Sequence, residues 1–172
     1  MADAAEKQLQ WFLGCFTGSE ITLQTYELIF VGRPGAAKDT YGRLRDDYLK
    51  RLKRYVTIRE HWLKEQGSAK ESKEILAKAA GVDVLIVLDE RGESTSSKGL
   101  AGRLDSWRQD GKRRVAFVIG GADGLADEIK AKANWTFSLS ELTMPHRLAH
   151  VLLLEQLYRA QTIIAGEPYH RE

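Results

Sequence analysis

The last residues of the chain place three reactive side chains next to one another, Tyr169, His170 and Arg171. A phenol can stack on or hydrogen-bond an aromatic ring. An imidazole titrates closer to neutrality than any other side chain and suits proton transfer. A guanidinium is a permanent cation that can hold a developing anion. An isolated C-terminal tail is ordinarily disordered, and one this rich in functional groups argues against disorder. A second group of candidates follows apolar runs. Asp89 and Glu90 leave the run Val82–Leu88, and Gly120, Gly121 and Gly124 leave the run Val115–Ile119. Acids so placed can hold ribose hydroxyls or simply face solvent. Glycines let the backbone approach a ligand closely. The GGxxG pattern is neither GxGxxG nor a P-loop, and an ordinary turn accounts for it equally well. His61 and His150 read as structural or superficial, and His146 as a cap or surface residue. No GxSxG elbow is present, which speaks against a nucleophilic hydrolase.

The elements that carry these residues alternate between the two periodicities. Strands are expected over Tyr26–Val31, Tyr55–Arg59, Val82–Leu88, Val115–Ile119 and Trp135–Leu139. Helices are expected over Ala36–Arg54, Glu71–Ala80, from a cap within Ser94–Ser97 to Gln109, over Leu125–Ala133, and from Pro145 to Ile164 with Gly166 as its stop. Such alternation predicts an α/β fold with a largely parallel sheet. In such sheets ligands bind beyond the carboxyl ends of the strands. The exits after Leu88, after Ile119 and after Trp135–Leu139 are therefore the places to look. The last helix contains Val151-Leu152-Leu153-Leu154, apolar on more than one side. A sheet covers one side; a second helix or a second subunit must cover the other.

Composition bounds the rest. The 172 residues are 43% hydrophobic and carry a net charge of +2, as expected of one globular domain. Met1–Thr25 shows no clear period and is expected to be an extension before a single domain over 26–172. No apolar run is long enough to span a membrane. The single cysteine, Cys15, permits no intrachain disulfide and fits a cytoplasmic setting. No clustered ligands suggest a metal. Charge is unevenly spread: Arg33–Lys64 holds ten basic residues against four acids, a net of +6. Either this is a solvated helix face or it is a surface for phosphates.

Several stretches taken in order carry a family resemblance. They are Leu88-Asp89-Glu90-x-Gly92, Ser96-Ser97, Phe117-Val118-Ile119-Gly120-Gly121-x-x-Gly124-Leu125, Ser138-Leu139-Ser140-x-Leu142-Thr143-Met144-Pro145-His146, Leu153-x-Glu155-Gln156-Leu157-Tyr158-Arg159-Ala160 and Pro168–Glu172. Together they resemble the bacterial large-subunit rRNA pseudouridine methyltransferases of the SPOUT class over roughly Tyr26–Glu172. The resemblance implies an enzyme that forms 3-methylpseudouridine in 23S rRNA with S-adenosylmethionine, in the cytoplasm, on the assembled 70S ribosome rather than on DNA or a membrane. It implies a homodimer whose α/β domain ends in a C-terminal trefoil knot, with the active site completed across the dimer. Carried over by motif, the cofactor residues are Leu88, Gly120, Leu139, Ser140, Glu141, Leu142, Thr143 and Met144. The catalytic group is His170 as base, Arg171 or Arg159 as the stabilising cation, and Tyr169 against the target base. A SPOUT enzyme for another RNA position, or a nucleotide- or RNA-binding module without catalysis, are the competing readings. Met1–Thr25 departs from the family pattern, which begins at the first strand.

Overall fold

A computed structural model describes residues 23–34, 36, 39–121 and 124–171. Cys15 and nearly all of the expected extension lie outside these residues; Thr25, its last residue, opens the first strand. Five strands form one sheet: β1 Thr25–Val31, β2 Thr57–Leu63, β3 Val84–Ser94, β4 Arg114–Ile119 and β5 Trp135–Ser138. Their order is β2-β1-β4-β3-β5 and every pairing is parallel. The helices are α1 Thr40–Leu52, α2 Ser68–Lys78, α3 Ser97–Gln109, α4 Asp127–Lys132 and α5 His146–Ile164. No helix among the described residues is long and apolar enough to cross a membrane.

The apolar runs of β1, β3 and β4 are explained by cover on both faces. On one face Tyr26, Leu28, Phe30, Ile86, Phe117 and Phe137 pack with Leu52 of α1, Leu100 and Leu104 of α3, and Leu153, Leu154 and Leu157 of α5. On the other, Ile29, Val31, Val87 and Val118 pack with Ile75 of α2 and Ile129 of α4. Helix α5 lies between α1 and α3 and over the sheet. Much of its second apolar side is therefore covered within one chain. Leu153 and Leu154 are both fully buried there, while Leu148 remains 40% exposed and Leu152 half-buried.

Several boundaries differ from expectation, each for a local reason. Helix α1 begins at Thr40 instead of Ala36 because the Asp39 carboxylate caps it, accepting the Gly42 N–H at 2.8 Å. Strand β2 begins at Thr57 and runs to Leu63. The Tyr55 and Val56 amides still donate to the Leu52 carbonyl, at 2.9 and 3.1 Å, so the helical turn delays the strand. Pro145 is the cap residue of α5, not its first helical residue, and no side chain caps this helix. At its other end the expected Gly166 stands at φ +68°; the Gly166 amide donates to the Ile163 carbonyl and the Glu167 amide to the Thr162 carbonyl, a Schellman closure.

The largest difference is in β3. Asp89–Gly92 was expected to leave the sheet. Instead the strand bulges after Leu88 and resumes, with Glu93 opposite Phe137 and Ser94 opposite Ser138. At the crossing a Cβ on Gly92 would stand 2.7 Å from the Phe137 carbonyl carbon and 2.9 Å from the Ser138 nitrogen. Only glycine lets these two stretches of backbone come so close.

At the opposite end of the sheet the Glu27 carboxylate is buried and meets His61 Nε2 at 2.8 Å, Arg114 at 3.0 Å and Arg59 at 3.3 Å. Burial acts to raise its pKa, but the donors from His61 and Arg114 outweigh burial and hold it below the usual range. His61 is thus a structural partner, as its sequence context suggested.

Candidate functional site

The carboxyl ends of β3, β4 and β5 open into a cleft of about 460 Å³, within the roughly 300–1,000 Å³ usual for small-molecule sites. Three loops build it. The first is the β3 bulge, from Leu88 through Asp89 and Glu90 to Arg91. The second is Gly120–Gly121 with Gly124 and Leu125, folded back on itself by the Gly124 amide donating to the Gly121 carbonyl at 3.0 Å. The third runs from Ser138 to Met144. Its turn is held by Ser138 Oγ donating to the Ser140 carbonyl at 2.9 Å and by the Leu142 N–H donating to Ser140 Oγ at 3.0 Å. His146 and Ala149 of the first turns of α5 and Lys130 of α4 complete the lining.

Of the expected cofactor residues, Leu88, Gly120, Leu139, Ser140, Leu142, Thr143 and Met144 line this cleft, whereas Glu141 is exposed and does not. Leu142 is 77% exposed at the rim. His146, expected only as a cap or surface residue, also reaches the cleft. The lining suits a ligand such as S-adenosylmethionine: an apolar wall of Leu88, Ile119, Leu125 and Leu139, free backbone at a glycine pair, and a small charged region.

Gly120 shows how tight the second loop is. A Cβ there would lie 2.8 Å from Leu125 Cγ and 3.0 Å from the Gly124 carbonyl. Gly120→Val is therefore expected to push the loop into the cleft and weaken cofactor affinity at least about tenfold. Calorimetry on the folded variant checks this; unchanged affinity would remove Gly120 from the site.

Asp89 is committed to structure. One carboxylate oxygen accepts the Arg91 N–H at 2.9 Å and the other meets Lys130 Nζ at 2.5 Å. The Lys130 ammonium holds the Asp89 pKa below its ordinary value. Sequence reading missed Lys130, which sits in a short amphipathic helix with nothing local to mark it.

The tail residues lie elsewhere. Arg159 binds Glu155 at 2.6 Å and stands over the Tyr169 ring at 4.9 Å, with its Nη1 3.4 Å from His170 Nδ1. Tyr169 donates to Glu155 Oε1 at 3.2 Å and packs edge-on against Tyr158 at 4.8 Å. Burial and then the neighbouring Tyr48 and Glu155 raise the Tyr169 phenol above its ordinary pKa, so it stays a hydrogen-bond donor. Arg54 and Tyr55 anchor the segment further through Glu167, at 3.3 and 2.6 Å. Thus Tyr169, His170 and Arg159 are gathered into one cluster, while Arg171 is exposed beside it. Glu155, which organises that cluster, was legible only as an i,i+4 partner of Arg159. At about 1.5 Å per residue, α5 carries Arg159 roughly 20 Å from His146 at the cleft. The cluster and the cleft of one chain do not meet.

Near the start of α5 a buried histidine, His150, stacks on Phe30 at 4.2 Å. Burial lowers its pKa to about 3, which keeps it neutral and structural.

The comparisons with known proteins agree with this architecture. A family model described as "Predicted SPOUT methyltransferase" matches residues 25–170. Ribosomal RNA large subunit methyltransferase H of Deinococcus deserti is 46% identical over 145 residues, covering 84% of this chain and 97% of that protein. The protein of the same name from Rhodospirillum centenum is 40% identical over 144 residues, covering 81% and 92%. Among solved structures, a probable methylase family protein from Haemophilus influenzae Rd KW20 shares the fold with a TM-score of 0.56 at 11% identity, over 88% of this chain and 72% of that one. A probable methyltransferase from Bordetella pertussis Tohama I does so with a TM-score of 0.53 at 10% identity, over 81% and 95%. With the match spanning nearly every described element, this chain belongs to the SPOUT methyltransferase family, whose members take their methyl group from S-adenosylmethionine.

Proposed function

We propose that this protein is an rRNA methyltransferase that forms 3-methylpseudouridine in 23S rRNA, working as a homodimer on the assembled 70S ribosome in the cytoplasm. The observation that carries the reading is the cleft built by Leu88, Gly120 and the Leu139–Met144 loop, in a chain 46% identical to a protein named ribosomal RNA large subunit methyltransferase H. Those residues hold S-adenosylmethionine, which supplies a methyl group already activated on a sulfonium. The protein's task is then alignment and proton removal. His170 takes the proton from the ring nitrogen of the pseudouridine. Arg171 or Arg159 offsets the negative charge that develops on the ring, and Tyr169 packs against it.

The roughly 20 Å between cleft and tail supports a dimer in which each tail serves its partner's cleft. The stripe of Leu148 and Leu152 on α5, left open by α1 and α3, is the apolar surface available for that pairing. The proposal includes a C-terminal trefoil knot, with which the close approach of Gly92 to the β5 backbone is compatible.

The test is methyl transfer from labelled S-adenosylmethionine to ribosomes lacking the modification, run in parallel on free rRNA, separated subunits and 70S particles. Label on a pseudouridine of 23S rRNA, strongest with 70S particles, is the expected result. Label at another nucleoside would favour a SPOUT enzyme of different target, and no transfer at all would favour a binding module.

The basic stretch Arg33–Lys64 is the proposed contact for rRNA phosphates. Part of its charge is used internally: Arg51 pairs with Asp47, Arg54 with Glu167, and Arg59 with Glu27. Arg43 and Lys50 of α1 are exposed and make no ion pair with another described residue. Reversing both to Glu is expected to weaken ribosome binding at least about tenfold and flatten its salt dependence, with cofactor affinity unchanged. Ribosome affinity insensitive to both salt and these changes would make the stretch a solvated face.

A further inference from the structure

The charged groups of the cleft are linked to one another: Lys130 of α4 pairs with Asp89 at 2.5 Å, and Asp89 accepts the Arg91 N–H at 2.9 Å, while Leu139, Thr143, Met144 and Ala149 come from the segment that leads into α5. An amino acid zwitterion attached to a nucleoside needs both charged and apolar lining, and this cleft offers both.

Building on the cofactor reading above, we propose that Lys130 is the residue that recognises the α-carboxylate of S-adenosylmethionine, fixing the amino acid end of the cofactor at the α4 side of the cleft. Three observations carry this. First, Lys130 is the cation that lines the cleft from a helix rather than from a loop, and its side chain is only 33% exposed. Second, it is already oriented: Asp89 Oδ2 holds Nζ at 2.5 Å, and Asp89 is itself fixed by the Arg91 N–H at 2.9 Å. Little side-chain freedom remains to be lost on binding. Third, an ammonium has three donors and Asp89 occupies one, so a second carboxylate can be accepted without breaking the first contact. Asp89 itself is 13% exposed and already receives two donors, which makes it a poorer candidate for the ribose hydroxyls than its position after the strand suggested. Arg91 is the competing cation, but its side chain is exposed at the mouth and free to follow solvent.

The experiment is a binding comparison by calorimetry that requires no turnover. The intact wild-type chain is titrated with S-adenosylmethionine and with its decarboxylated analogue. The analogue should bind roughly 10- to 100-fold more weakly, the scale of one charge-assisted hydrogen bond. In Lys130→Met, affinity for S-adenosylmethionine should fall by a similar factor, while affinity for the analogue should hardly change. The two ligands should then differ by less than about threefold. Lys130→Arg should restore much of the discrimination. Two results overturn the assignment. Equal losses for both ligands in Lys130→Met would make Lys130 a brace for the Asp89 bulge alone. Discrimination kept in Lys130→Met and lost in Arg91→Ala would transfer the role to Arg91. A wild-type chain that binds neither ligand would instead bring down the cofactor reading on which this one rests.

Discussion

A chain ending at Pro168 is expected to bind S-adenosylmethionine with near-normal affinity and to transfer no measurable methyl group to ribosomes. The cleft draws on β3, β4, β5, α4 and the start of α5 and on nothing after Ala149. The tail packs at the far end of α5 through Glu155, Tyr158 and Arg159. Its loss removes the partly buried Tyr169 ring with its hydrogen bond to Glu155 and its contacts with Tyr158 and Arg159, all at the end of α5, so the thermal midpoint should move by only a few degrees. The milder variant His170→Ala leaves the Tyr169 contacts in place. If His170 is the base, turnover should fall roughly 100-fold or more. If the tail only grips RNA, the truncation should raise the apparent substrate constant and spare the single-turnover rate at saturation. Mixing the truncated chain with Gly120→Val gives a further readout. At a cofactor concentration too low to fill the Gly120→Val cleft, neither variant alone should be active. The heterodimer joins an intact cleft on one chain to an intact tail on the other, and activity should return. Full activity in the truncated homodimer would dismiss every role assigned to Tyr169–Glu172.

The second large effect concerns α5. Leu153→Glu and Leu154→Glu should each prevent folding. Both side chains are fully buried between the sheet, α1 and α3. Truncating such a leucine to alanine costs about 2–5 kcal/mol, and an unpaired carboxylate in its place adds a further desolvation cost. Domains of this kind hold about 5–15 kcal/mol in total. Leu152→Glu provides the contrast, because Leu152 is only half-buried. That variant should fold and be unable to form the proposed dimer. Circular dichroism separates the first outcome and light scattering the second. A folded, monomeric Leu153→Glu protein would mean that this face of α5 meets a partner rather than the core.

The sequence made the sheet visible because its central strands are covered on both sides. Val84–Leu88 and Val115–Ile119 are continuous apolar runs, and only a buried parallel strand needs them. It made α5 visible through its length and through Gly166. What it hid were consequences of pairing between distant segments. Nothing local to Asp89–Gly92 says that the strand bulges and then resumes, since that is decided by Phe137 and Ser138 across the ladder. The start of α1 was set by one capping carboxylate, Asp39, which also binds Arg147 of α5. For the site, loops rich in glycine and serine showed where a ligand would sit. Lys130 went unnoticed, and Glu155 entered only as part of a motif with no role attached, because each acts through a residue far along the chain or a helical turn away.

The order β2-β1-β4-β3-β5 places the last strand beside β3 and lays the last helix against α1 and α3. The face of the sheet that holds Phe30 and Phe117 is sealed by Leu52 of α1, by Leu100 and Leu104 of α3, and by Leu153, Leu154 and Leu157 of α5, which follows all the strands in the chain. While α5 is still inside the exit tunnel, the nascent chain has strands but no finished core on that side, and its carboxyl-end cleft lacks both the Ser138–Met144 loop and α5. The core on that side and the cleft are therefore completed together, and only once α5 has emerged, long after β1 and β4 are available to pair.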